Sequence, residues 1–149
     1  MCRLRFFQIS IDLGSDTTYD FGVLSFLMGS LSISLTSPAT LEHLVFNINF
    51  FGNDNDFNRP LFYQLLRDAD VWSHLDSIAA NPTGSRLQRV DINIHYTFRD
   101  YDDGSEPDED EVMEAVLGGL PLLRMKGILF VEAVVIPWCG LDSRTILAR

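Results

Sequence analysis

Three histidines, two cysteines and two acidic clusters are the residues whose types and spacing could do chemistry. His43, His74 and His95 stand 31 and 21 residues apart, too far for a local metal-binding pair. His95 falls on the polar face of an expected strand, and His43 precedes one. Cys2 and Cys139 sit at opposite ends of the chain and form no CxxC pair. They read as reduced thiols, which places the protein in the cytoplasm or nucleus. The stretch from Asp100 to Glu111 carries eight negative charges in twelve residues. A calcium loop needs Asp-x-Asp-x-Asp-Gly and a Glu at its twelfth position. With Gly104 set at the sixth position, Arg99 falls first and Tyr101 third, so the pattern fails. The stretch instead reads as a solvated acidic loop, with contact to a basic partner as a second use. Asn53-Asp54-Asn55-Asp56 reads as a turn, because Asn and Asp satisfy their own backbone in tight loops. The sequence contains no GxSxG, HExxH, GxGxxG or GxxxxGK[ST]. The expectation is therefore no catalytic residue, no cofactor and no metal.

Length and composition set the frame for these residues. The chain has 149 residues, the size of one domain, and 46% of them are hydrophobic. Eleven Phe residues argue against general disorder. No apolar run approaches the ~20 residues that span a bilayer. The net charge is −10, but the acidic stretch supplies eight of those charges and the remainder carries only −2. Neither part offers a basic surface for nucleic acid or an anionic membrane.

An internal repeat gives the positioning elements. Leu4-x-x-Phe7-x-Ile9-x-Ile11 returns as Leu41-x-x-Leu44-x-Phe46-x-Ile48 and as Leu87-x-x-Val90-x-Ile92-x-Ile94. A looser fourth copy runs from Leu122 to Val131, its unit beginning near Leu123. The alternating part of each copy has the period of a strand. Between copies lie helical patterns. One covers about 17–31, with Phe21, Leu24, Leu27, Met28 and Leu31. A second starts at Arg59-Pro60, breaks near Asp70 and stops at Asn81-Pro82-Thr83-Gly84. A third opens at Asp108 to Glu111, which suits a helix N-terminus, and ends at Gly118-Gly119.

The order β-α-β-α-β-α-β favours a parallel sheet with right-handed crossovers. Strands buried on both faces read as continuous apolar runs, and the first three here do not. Their alternate positions are Gln8, Ser10 and Asp12; Val45, Asn47, Asn49 and Phe51; Asp91, Asn93, His95 and Thr97. The expected fold is therefore α/β. It is a short parallel solenoid of about four strand–helix units, with helices on one side and a polar strand face on the other. The fourth strand, expected over 127–135, is apolar apart from Glu132, and the tail 136–149 is expected to cover it. The whole of 1–149 reads as one domain, a fragment of a longer array, with 100–111 as an acidic loop within it.

The Leu-x-x-Leu-x-Leu spacing resembles a leucine-rich repeat. Trp72-Ser73-His74-Leu75-Asp76, Leu87-Gln88-Arg89-Val90-Asp91-Ile92 and Leu120-Pro121-Leu122-Leu123-Arg124-Met125-Lys126-Gly127-Ile128-Leu129 resemble more specifically the degenerate repeat regions of F-box-type proteins from mushroom-forming fungi. The resemblance covers roughly 41–135. It implies the substrate-recognition part of a ubiquitin ligase receptor. No F-box stands ahead of the first repeat, so binding to the ligase scaffold attaches to no residue here and requires an F-box upstream. The asparagine that follows each strand in such repeats falls on Asp12, Asn49 and His95.

The leading functional reading is a protein-binding module with an unknown protein ligand on the polar strand face. Asn47, Asn49, Asp91, Asn93 and His95 are the hydrogen-bonding candidates, and Phe51 reads equally as the apolar contact or as a residue packing a loop. Trp72, at helical spacing from Leu75 and Ile78, reads as core. One alternative is a hydrolase-like enzyme on an open sheet, its site beyond the strand ends where Asp12, Asn53 and Asp100 would converge. Another is a truncated gene product without independent function.

Overall fold

Four parallel strands carry the repeat in chain order. They are β1 (Phe6–Leu13), β2 (His43–Phe51), β3 (Arg89–Thr97) and β4 (Leu129–Val135), hydrogen-bonded as β1-β2-β3-β4. The computed structural model describes residues 5–13, 25–27, 29–30, 41–51, 63, 66–80, 86–97 and 108–135. Three helices are described along their length: α1 (Ala69–Ala80), α2 (Glu109–Gly118) and α3 (Pro121–Met125). Residues 25–27, 29–30, 63 and 66 are also helical. Of the expected first helix, Phe21, Leu24, Met28 and Leu31 lie outside the described residues, as do 100–107 of the acidic stretch. No helix among the described residues is long and apolar enough to cross a membrane.

Register converts the repeat spacing into stacked rows. Phe7 pairs with Leu44, Leu44 with Val90, and Val90 with Leu129. The side chains of these rows point to one face, as period two requires. On β2 and β3 they are buried: Leu44, Phe46, Ile48 and Phe50 beside Val90, Ile92, Ile94 and Tyr96. Val71, Trp72, Leu75, Val112, Ala115, Val116 and Leu123 of the helices join the same core. The outer strands are less enclosed, with Phe7, Ile9, Ile11, Leu129 and Val131 packed against that core and partly buried.

The fourth unit departs from the expectation. Residues 122 and 123 lie in α3, not at the head of a repeat. The pairing of Val90 with Leu129 puts Lys126 at the position of Leu41 and Leu87. Pro121 at the first helical position starts α3, and Gly127, at φ 70, takes the left-handed conformation that turns the chain into β4. The strand begins at Leu129, two residues later than expected. The tail 136–149 lies outside the described residues.

The breaks in the helices have local causes. The second helical pattern is interrupted at Arg67 and Asp68. There the Asp68 carboxylate accepts from the Asp70 N–H at 2.9 Å and starts α1 afresh. Asp108 does the same for α2, accepting from the Asp110 N–H at 3.0 Å, with Glu109, Asp110 and Glu111 in the first turn.

Gly118 and Gly119 end α2 for different reasons. A Cβ at Gly119 would stand 2.6 Å from Cδ1 of the buried Trp72, whereas one at Gly118 meets nothing within 4 Å. Gly119→Ala is therefore expected to cost about 1–3 kcal/mol through displacement of the indole. Gly118→Ala is expected to be neutral or stabilising by up to ~1 kcal/mol. Urea melts of the two variants separate these outcomes; equal melts would mean that the close approach of Gly119 to Trp72 is not tight.

Candidate functional site

The second face of the sheet is mostly polar because most of the alternate residues of β1, β2 and β3 are polar. Four rows cross it. The first joins Phe6, His43 and Arg89, and the second Gln8, Val45, Asp91 and Phe130. The third joins Ser10, Asn47, Asn93 and Glu132, and the last Asp12, Asn49, His95 and Val134. Apart from Val45 and Asp91, these residues are exposed or partly exposed. Among the described residues no helix packs on this face.

Two of the rows are hydrogen-bonded ladders. Asn93 Nδ2 donates to Asn47 Oδ1 at 2.9 Å, and Asn47 Nδ2 donates to Ser10 Oγ at 3.3 Å. In the last row Asn49 Nδ2 donates to Asp12 Oδ1 at 2.7 Å, and Asn49 Oδ1 is 3.1 Å from His95 Nδ1. An amide oxygen only accepts, so His95 Nδ1 carries a proton in this arrangement. These last three residues are the positions where the resemblance expects asparagine, and they form one line across three strands.

Asp91 behaves differently from the other candidates. It is 9% exposed and is held by neighbours in a cluster that sequence reasoning missed. Arg89 Nε and Nη2 each donate to its carboxylate at 2.8 Å, and His43 Nε2 bonds to Asp91 Oδ2. The Arg89 guanidinium lies 4.4 Å from the centre of the Phe130 ring, and the Phe6 ring meets His43 edge-on at 5.0 Å. The sequence contained a signal for this. Arg89 and Asp91 lie two apart on one strand face, and the 46-residue repeat offset brings His43 beside Arg89. Asp91 is thus committed to its own chain. Asn47, Asn49, Asn93 and His95 are brought together on the accessible face. Phe51 ends β2 in register with Thr97, and its side chain lies outside the described residues.

Arg89 first, and His43 after it, hold the Asp91 carboxyl below its usual range, against burial that would raise it. A carboxyl lowered in the folded state adds stability above its unfolded pKa, ~3.9, and loses it as pH falls through the folded value. Asp91→Asn is therefore expected to flatten the acid limb of the stability profile below about pH 4. At neutral pH it is expected to cost about 1–2 kcal/mol, between the values for exposed and buried pairs. Urea melts from pH 6 to pH 2.5 measure both; an acid limb as steep as that of the wild type would deny Asp91 this role.

Other placements bear on the remaining expectations. The strand order has no reversal, so these four strands contain no switch point at which an open α/β sheet forms its ligand crevice. Asp12 lies near the carboxyl end of β1, while Asn53 and Asp100 are outside the described residues. Among the described residues no three His, Cys, Asp or Glu side chains gather as metal ligands would. His74 is exposed on α1. A shallow depression of about 430 Å³ lies between α1 and the α2–α3 turn, lined by small residues such as Ala69, Ser73, Gly118 and Gly119. No family model, curated protein or solved structure matches this chain.

Proposed function

We propose that the chain is a protein-binding module, a short leucine-rich-repeat-like solenoid whose polar strand face receives another protein. The observation that carries this reading is the pair of side-chain ladders across the face of the sheet on which no helix packs among the described residues. Each amide is held by its neighbour, so a partner meets donors and acceptors already ordered and less entropy is lost on binding. Asn93 Oδ1 and His95 Nε2 take no part in the ladders and are the atoms offered to a partner. By the resemblance, the module would serve as the substrate-recognition part of an F-box-type ubiquitin ligase receptor, joined to the ligase scaffold through an F-box upstream.

The test is the triple variant Asn49→Ala, Asn93→Ala and His95→Ala. Circular dichroism is expected to show an unchanged fold, because all three side chains are at least partly exposed. Binding of a partner, first captured by the wild type and then purified, is expected to weaken by roughly tenfold to a hundredfold. Unchanged binding by the folded variant would remove the face as the site.

A further inference from the structure

Parallel pairing sends every strand start to one edge of the sheet and every strand end to the other. The segments leading into the strands carry Arg3, Arg5, Arg86, Arg124 and Lys126 against one acid, Glu42. The segments that follow the strands hold the acidic stretch of Asp100 to Glu111, with Asp54 and Asp56. Among the described residues, the edge where the strands start carries Arg5, Arg86, Arg89, Arg124 and Lys126 against Glu42 and Asp91.

We propose that this edge, with Arg5, Arg86, Arg89 and Lys126 beside Phe6 and Phe130, docks an extended acidic segment of the partner protein. The inference rests on the protein-binding reading and adds the chemistry of the partner. Arg5, Arg86, Arg89 and Lys126 are exposed, with Arg5 Nε 3.8 Å from the Glu42 carboxylate, and Phe6 and Phe130 are 48% and 49% exposed. Backbone bonds hold the leading segments side by side: Glu42 and His43 N–H donate to the Arg5 carbonyl, and Gln88 and Arg89 N–H to that of Glu42. Arg89 is fixed by Asp91 and stacked on Phe130, so it presents its remaining donors without first losing side-chain freedom. Four strands about 4.8 Å apart span roughly 14 Å, which about four extended residues cover.

The two ends of a nine-residue strand such as β2 stand about 30 Å apart, whereas charges are screened beyond ~10 Å at 0.1 M salt. An acidic segment at the basic edge therefore feels the local charge. A large apolar residue within the segment would pack on the Phe6 or Phe130 ring.

The test uses a fluorescein-labelled octapeptide of Glu and Asp with a central Leu, titrated with the full chain at 0.1 M salt. Binding with a Kd on the order of 100 µM is expected from a few exposed ion pairs and one apolar contact. Arg86→Glu with Lys126→Glu leaves the Asp91 cluster intact and is expected to weaken binding about tenfold. The Asn49, Asn93 and His95 triple variant is expected to bind the peptide within about twofold of the wild type. No binding at millimolar protein, equal binding of a Lys/Arg octapeptide, or indifference to the charge reversals would overturn the proposal. Tighter binding of labelled oligo-dT would assign the edge to nucleic acid instead. Self-association abolished by the same reversals would assign it to a second copy. If the triple variant loses peptide binding while the reversals do not, the edge is wrong and the polar-face reading stands.

Discussion

Trp72→Ala is expected to cost 3–5 kcal/mol, as large aromatic truncations in cores do, roughly. The indole is fully buried between the sheet and the α2–α3 turn, and its Nε1 donates to the Leu66 carbonyl at 2.6 Å. Truncation opens a cavity against Gly119 and leaves that carbonyl without its donor. Domains of this size are stable by only about 5–15 kcal/mol, so a large share of the total would be lost. Trp72→Phe keeps most of the volume and removes the N–H, which isolates the hydrogen bond at about 1–2 kcal/mol. Circular dichroism at 222 nm in urea is the suitable readout, since removing Trp72 alters the fluorescence signal itself. A Trp72→Ala protein within 1 kcal/mol of the wild type would mean that the helices do not pack on the sheet as described.

Asp76→Ala is the second large effect, about 2–3 kcal/mol. Asp76 is 6% exposed, on α1, and serves a different helix. Pro121 at the start of α3 has no N–H to satisfy, and Leu120 before it makes no side-chain cap. The next two amides are therefore the ones in need of an acceptor. The Asp76 carboxylate meets both, taking Leu122 N–H at 3.0 and 3.1 Å and Leu123 N–H at 2.9 Å. A charged acceptor at a helix N-terminus also interacts favourably with the helix dipole. Alanine leaves two amides without a partner beside the core, and Leu123 is anchored there. Asp76→Asn keeps one acceptor oxygen and is expected to lose about half as much. Amide hydrogen exchange at Leu122 and Leu123 provides a local readout. Faster exchange there, with the strands still protected, is the expected pattern; unchanged exchange would contradict the cap.

Both effects join segments that sequence reading had marked for another reason. Trp72 to Asp76 and Leu120 to Leu123 belong to the stretches that resemble repeat regions of fungal F-box-type proteins. In the structure they touch one another through Asp76 against the amides of α3, and Gly119, just before the second stretch, sits against Trp72. Spacing along the chain does not reveal that pairing, because the partners are 46 or 47 residues apart and lie on separate helices.

By itself the sequence determined β1, β2 and β3, the faces of these strands, and α2. Period-two alternation makes one face of β1, β2 and β3 apolar, and burial of that face sets the register, since a slip of one residue would turn the core toward water. Asp108 before an apolar helical stripe was enough to place α2, because its cap is local. The tertiary structure decided what depends on distant residues. The fourth unit begins at Lys126, not near Leu123, because Pro121 and Asp76 make a helix of residues that otherwise read as repeat. Asn49 and His95 were visible as polar strand residues, but only lateral pairing lines them up with Asp12. Asp91 read as a binding candidate from its position alone. Pairing with β2 brings His43 beside Arg89, and together they occupy its carboxylate. A side chain's alternation follows from its own strand, whereas its availability follows from its neighbours, and those are set by pairing between strands.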